Sequence, residues 1–392
     1  MSNTLSRRGF LGRAALLGCS AAASPLWSRV SFAAAPWDTR LVVIILRGAM
    51  DGLDVVQPYG TPDYARLRGG LAGGPATGAA DLDGFFSLHP GLVSLMPLWQ
   101  QGQLGFVHAV STPYRDKRSH FDGQDILEAG TAGLGQGVRD GWLNRMLQHL
   151  PGVEAQTAFA LGHGEMKVLA GPATIANWAP DADLVMSPQA ARLMERVMQD
   201  DPAFHAALSE AMMLSSGTDD PMRGDAGPEA VQIARFAAER MRGDTRIVSF
   251  SLNGWDTHGN QGKAIQPALK SLAATITTLH DDLGPELWGK TAVVAMTEFG
   301  RTVAINGTGG TDHGTGGVMV LAGGALRGGK VHGQWPGLAE VDLYERRDLM
   351  PTGDVRAAAA WILRGVSGLD RGVLEQAVFP GLDMGGDPGL ML

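Results

Sequence analysis

The sequence predicts an α/β fold with a mostly parallel central sheet and helices on both faces. Two stretches, Leu41 to Leu46 and Thr291 to Met296, are apolar without alternation, as strands buried on both faces of a parallel sheet are. Between 246 and 296 a β run, Arg246 to Leu252, is followed by a helical pattern, Ile265 to Leu283, and then by the second of those strands, the order of a βαβ unit. Acidic and imidazole residues stand directly after these runs, where α/β proteins collect their chemistry. The chain has 392 residues, 44% hydrophobic and 18% charged, enough for one large domain with a sizeable core.

The first 35 residues read as an export signal rather than as fold. Ser6-Arg7-Arg8-Gly9-Phe10-Leu11 is a twin-arginine consensus, followed by the weakly apolar run Ala14 to Ala23 and the small-residue end Ser31-Phe32-Ala33-Ala34-Ala35,. The expected mature protein starts near Ala34 or Pro36 and is periplasmic or secreted. Its expected partner on the way is the twin-arginine (Tat) export machinery. The apolar run is too short for a transmembrane span. The one cysteine, Cys19, lies inside the signal in Leu16-Leu17-Gly18-Cys19. That leaves the mature chain without thiol chemistry, and lipid anchoring at Cys19 is the alternative outcome. A net charge of -8 and a pI near 5.7, without a basic stripe in the mature region, exclude a nucleic-acid partner.

The β run 41–46 ends in Arg47-Gly48-Ala49-Met50-Asp51-Gly52, which sets Asp51 at a strand's carboxyl end. Residues 69–84 are rich in Gly and Ala and read as loop. Pro90 to Gln101 reads as a short helix and Leu104 to Val110 as a strand. The next segment, Ser111 to Asp122, is a polar turn carrying Arg115, Lys117 and Arg118 before Ser119 and His120. A helical pattern begins at Ser119, so this serine is either an N-cap or a nucleophile at an anion-favouring helix end. From about 140 to 245 the pattern is mainly helical and is expected to form an insertion. One or two strands fall near 158–170, and Met194, Met198, Met212 and Met213 serve as core filler.

Three strand-end motifs then follow in close succession: Gly254-Trp255-Asp256-Thr257-His258, Thr297-Glu298-Phe299-Gly300-Arg301 and Gly310-Thr311-Asp312-His313-Gly314. Hard oxygen donors mixed with imidazoles suit a divalent metal such as zinc or manganese. Asp51, Asp256, His258, Glu298, Asp312 and His313 are therefore the candidate ligands.

At these residues the chain resembles the alkaline-phosphatase and sulfatase superfamily. In particular it resembles its twin-arginine-exported branch, domain of unknown function 1501, across essentially the whole mature chain. The motifs that carry the likeness are Arg-Gly-Ala-Met-Asp-Gly-Leu-Asp, Arg-Ser-His-Phe-Asp and the three just quoted. The resemblance implies an alkaline-phosphatase-like domain over 36–392 and a metal bound by Asp51. It implies Ser119 as nucleophile and a second metal held by Asp256 and His258. It also implies an Asp-His pair after a further strand and a final His before the last one. Glu298-Phe299 stands where the pair is expected if His313 is the final His. Alternatively Asp312-His313 is the pair, and only His332 remains for the last position. Either way one ligand is replaced, so the expected number of metals is one or two.

The implied function is an exported metal-dependent hydrolase or transferase acting on a small anionic phosphate or sulfate ester. Arg115, Arg118 and Arg301 would neutralise the transferred group, and His120 would protonate the leaving group. The alternative is a non-catalytic periplasmic protein with a degenerate site that binds or assembles another exported protein.

Overall fold

The computed structural model describes residues 37–115, 118–135, 137–164, 166–180 and 228–392. The export signal with Cys19, Lys117 and the Met-rich stretch 187–215 lie outside the described residues. A nine-stranded sheet runs through the centre. Its strands are β1 (Arg40–Leu46), β5 (Leu104–Ser111), β6 (Ala158–Leu161), β7 (Ala176–Trp178), β8 (Ile247–Leu252), β9 (Thr291–Met296), β10 (Gly317–Ala322), β11 (Val331–His332) and β12 (Gly353–Asp354). The remaining three, β2 (Val56–Gln57), β3 (Ala80–Asp81) and β4 (Ser87–Leu88), form a small separate sheet. The central order is β11-β5-β10-β9-β1-β8-β6-β7, with β12 against β5.

β1 sits in the middle, parallel to β8 on one side and to β9 on the other. Its side chains alternate between two cores: Val42, Ile44 and Leu46 face one, Leu41, Val43 and Ile45 the other. Because both faces are covered, no polar alternation survives in the strand. Burying each of these side chains contributes about 1.5–3 kcal/mol. The helices α4 (Glu229–Met241) and α5 (Gln266–Trp288) cover the first face, and α3 (Trp142–Gln148) and α6 (Val355–Ser367) cover the second.

β10 alone runs against its neighbours, pairing antiparallel with both β5 and β9. Its first residue, Gly317, lies beside Val110 near the end of β5. Residues that precede β10 therefore reach the same sheet edge as residues that follow the parallel strands. Within the stretch expected to be mainly helical, β6 falls where one or two strands are expected near 158–170, β7 lies just beyond it, and both are strands of the central sheet. They are only four and three residues long, too short for a periodic pattern to fix their number and bounds. Among the described residues no helix is long and apolar enough to cross a membrane.

Candidate metal centre

Four segments meet at that edge. β8 runs out into Asp256 and His258, β9 into Glu298 and Arg301, and the loop before β10 carries Asp312 and His313. The fourth is the start of α2 (His120–Ala129), with Ser119 as its N-cap. One ligand atom each from His120, Asp256 and His313 lies within 4.8 Å of the others, a group able to hold a metal ion. His258 adjoins it, with Nε2 3.0 Å from Asp256 Oδ1 and 2.9 Å from His313 Nε2.

The imidazoles share one orientation. Nδ1 of His120 donates to Glu298 Oε1 at 2.8 Å, that of His313 to the Arg118 carbonyl at 2.7 Å, and that of His258 lies 3.3 Å from Asp312 Oδ1. A carbonyl or carboxylate can only accept, so a proton sits on Nδ1, and in the neutral ring the Nε2 lone pair points inward. All three Nε2 atoms face Asp256 Oδ1, at 3.4 Å from His120, 3.0 Å from His258 and 3.4 Å from His313. His120 Nε2 is buried and has no hydrogen-bond partner. Lone pairs facing one another at these separations repel unless a cation or a proton lies between them. This donor set fits a divalent ion: three imidazoles and one carboxylate, each imidazole steadied by an acceptor behind it.

Glu298 is fully buried. Its Oε1 accepts from Gly48 N at 3.0 Å, Ala49 N at 3.1 Å, His120 Nδ1 and Gln124 Nε2 at 3.2 Å, and its Oε2 accepts from Thr297 Oγ1 at 2.9 Å. Burial would raise its pKa, but these donors, His120 first, hold it below the usual glutamate range. In turn Glu298 raises the pKa of His120. Burial also opposes ionisation of Asp256, yet the hydrogen bond and charge of Arg301 outweigh it and bring it to about 2. Burial lowers the pKa of His313.

The loops are locked to each other from behind. Buried Gln261 accepts from Thr257 Oγ1 at 2.9 Å and Thr311 Oγ1 at 2.6 Å, joining the His258 loop to the His313 loop. Its amide donates to Asp51 at 2.7 Å and Asp54 at 2.8 Å. Gly310 has no room for a side chain, since a Cβ there would stand 2.3 Å from the His258 carbonyl carbon. Gly48, with φ +115°, packs against the backbone of Asp256 in a conformation that favours glycine,.

Asp51 is not in this group. It caps the short helix α1 (Gly52–Val55) and pairs with fully buried Arg68 at 2.5 Å. Of the arginines expected to meet an anionic ester, Arg301 is buried and donates to the Gly48, Ala49 and Thr311 carbonyls and to Asp256. Arg118 pairs with Glu345 at 2.8 Å and Asp348 at 3.1 Å, and its backbone is left-handed at φ +52°. Arg115 donates to the Thr112 and Tyr114 carbonyls and lies over the Tyr344 ring. Ser119 Oγ accepts from Asp122 N at 3.5 Å, a long cap bond. Phe299 stacks on His120 with ring centroids 5.3 Å apart, and His332 Nε2 donates to the Arg327 carbonyl at 3.0 Å instead of joining the cluster. Gln124, Gln261, Thr257, Thr311 and Arg68 were not singled out from sequence, because neutral amides, hydroxyls and a lone arginine carry no motif.

Fold and cluster together define an α/β protein with a His/Asp group at the carboxyl edge of its sheet. The chain belongs to the family described as Protein of unknown function (DUF1501), which residues 108–360 match. No curated protein matches it. Among solved structures it is similar to the lipoteichoic acid synthase LtaP from Listeria monocytogenes, at 9% identity and TM-score 0.43, over 93% of this chain and 79% of that one. It is also similar to a protein in the alkaline phosphatase superfamily from Vibrio parahaemolyticus, at 11% identity and TM-score 0.35, over 76% and 64%. A third is the C-terminal periplasmic domain of EcEptC from Escherichia coli in complex with Zn, at 11% identity and TM-score 0.35, over 73% of each chain.

Proposed function

We propose that this chain is an exported, metal-dependent hydrolase or transferase acting on phosphate or sulfate esters. The observation that carries the reading is the convergence of three Nε2 atoms on Asp256 Oδ1 while every Nδ1 is occupied. His120, His258, His313 and Asp256 would hold one divalent ion such as zinc or manganese. Bound there, the ion supplies Lewis acidity toward an ester's oxygens. Glu298, Asp312 and the Arg118 carbonyl orient the imidazoles. Asp51, neutralised by Arg68, serves the framework behind them. Ser119, at the start of the ten-residue α2, is the proposed nucleophile, where the helix end favours a developing alkoxide.

The test is elemental analysis of protein purified from the periplasm, with turnover measured on aryl phosphate, phosphodiester and sulfate esters. One metal per chain and turnover are expected, and Ser119→Ala should keep the metal and lose most of the turnover. Folded, metal-free, inert protein would remove the proposal in favour of a binding or assembly role. One observation favours that second reading: Arg115, Arg118 and Arg301 are already engaged by protein groups. Export rests on residues 1–35, and Arg7→Lys with Arg8→Lys should retain the chain in the cytoplasm. Normal periplasmic accumulation of that variant would end the export assignment.

A further inference from the structure

One side of the metal centre is held by a carboxylate outside the ligand group. Asp348 is fully buried and closes the turn Tyr344-Glu345-Arg346-Arg347-Asp348. Its Oδ2 accepts from Arg118 Nη2 at 3.1 Å and from Thr315 Oγ1 at 2.8 Å, and its Oδ1 accepts from Arg347 Nε at 2.8 Å. Arg347 in turn donates from Nη2 to the His313 carbonyl, and the backbone of Asp348 forms a β-bridge with Thr302, next to Arg301. Three of the four segments that build the centre thus close on one residue: the turn before His120, the loop of His313 and the run out of β9.

The bond from Arg118 matters because of the backbone it restrains. Arg118 is left-handed at φ +52°, a conformation that a residue with a Cβ keeps only where its surroundings hold it there. In that conformation its carbonyl accepts from His313 Nδ1 at 2.7 Å, which keeps a proton on Nδ1 and leaves Nε2 of the neutral ring open on the metal side. A right-handed or extended backbone at 118 would turn the peptide and take the carbonyl away. The imidazole would lose its Nδ1 acceptor, and the proton could pass to Nε2, where it blocks the lone pair that a cation needs. Glu345 also pairs with the Arg118 guanidinium, at 2.8 Å, but its carboxylate is exposed and water screens that bond. The bond to buried Asp348 has no such screening.

We propose that Asp348 is a positioning residue of the metal centre: it holds the Arg118 backbone left-handed, and through the Arg118 carbonyl it sets which ring nitrogen of His313 faces the ion. That an ion is bound there rests on the function proposed above. The tautomer of His313 does not, because it is a property of the metal-free protein.

Long-range proton–nitrogen NMR spectra of the whole metal-free chain, with isotopically labelled histidine, read the tautomer of each ring at a pH of about 8, above the ordinary histidine range; His313→Gln assigns the ring. Wild type should show His313 protonated on Nδ1. Asp348→Ala and Arg118→Ala should each shift the proton mostly to Nε2, and Asp348→Ala should weaken zinc binding about 10–100-fold, measured against a chromogenic chelator. Arg118→Gly should keep the Nδ1 proton, since glycine takes a left-handed φ without steric cost, and adding it to Asp348→Ala should restore the Nδ1 signal. A carboxylate that only stabilises the fold predicts no such rescue. Thermal melts show that each variant is folded, and if Asp348→Ala is not, Asp348→Asn, which keeps the shape and loses the charge, takes its place. An Nδ1 proton on His313 that survives loss of the Asp348 carboxylate, or the absence of rescue by Arg118→Gly, would overturn the assignment. The expected tautomers with their rescue, in a wild type that takes up no zinc, would uphold the role of Asp348 and sink the ester-cleaving reading alone.

Discussion

Replacing Gln261 by leucine should loosen the metal centre without touching a ligand. The side chain is fully buried and makes four hydrogen bonds, at 2.7 and 2.8 Å to the carboxylates of Asp51 and Asp54 and at 2.9 and 2.6 Å from Thr257 and Thr311. Leucine fills similar space but offers none of them. The two bonds to charged groups are worth about 1.5–3 kcal/mol each, and the hydroxyls can turn to other acceptors, so the net loss is about 3–6 kcal/mol. For a chain of this length that lowers Tm by about 4–8 °C. Thr257 lies between Asp256 and His258, and Thr311 two positions before His313, so the loops should part and metal affinity fall about 10–100-fold. Differential scanning calorimetry gives the first number and competition with a chromogenic chelator the second. A loss under about 1 kcal/mol with unchanged metal affinity would refute the claim that Gln261 staples the two loops.

Asp51→Asn should cost about 3–5 kcal/mol, because Arg68 stays buried with its partner neutralised, while the metal content of the folded protein stays at the wild-type level. Loss of metal from a stable Asp51→Asn protein would return Asp51 to the ligand set. Gly310→Ala should separate the loops through its clash with the His258 backbone and destabilise by about 1–3 kcal/mol, seen in urea melts, with weaker metal retention on dialysis. His108 gives the pH dependence. Its Nε2 donates to the Val56 carbonyl and its Nδ1 accepts from Ala109 N, so the neutral ring is fully used, and burial lowers its pKa to about 4. The folded value lies below the unfolded one, so this stability is complete above pH of about 6.5 and is lost as pH falls toward about 4. Wild type should lose about 3 kcal/mol more than His108→Gln across that window, and equal urea-melt pH profiles for the two would count against it.

Much of the sheet was legible because its central strands are buried on both faces. The runs 41–46 and 291–296 could be nothing but core, and the βαβ order fixed their direction relative to 246–252. Of the short strands, β6 fell in the 158–170 stretch expected to hold one or two, but β7 at 176–178 was not legible, since three residues carry no period. The cluster was legible as a collection of residue types: Asp256, His258, Glu298, Asp312 and His313 all follow or precede strands at one edge. Their division of labour was not, because which ring nitrogen faces inward depends on acceptors far away in sequence. His120 reaches Glu298 across 178 positions, and His313 reaches the Arg118 carbonyl across 195. The basic turn read as an anion clamp for the same reason. The carboxylates that engage Arg118, those of Glu345 and Asp348, lie 227 and 230 positions on.

The position of β1 between β8 and β9 sets a timetable for synthesis. Its neighbours in the finished sheet emerge late: Val43 accepts a hydrogen bond from Ser249, 206 residues on, and Met50 donates one to Thr297, 247 residues on. At about 5–20 residues per second, the apolar strand waits for about 10–50 s before either partner exists. Over that interval nothing encoded nearby can cover it on both edges, and such non-local pairing is slow even once the chain is complete. The nascent protein thus has to be shielded by something other than itself until its last third has been made, and only then can the residues around Asp256 be drawn together.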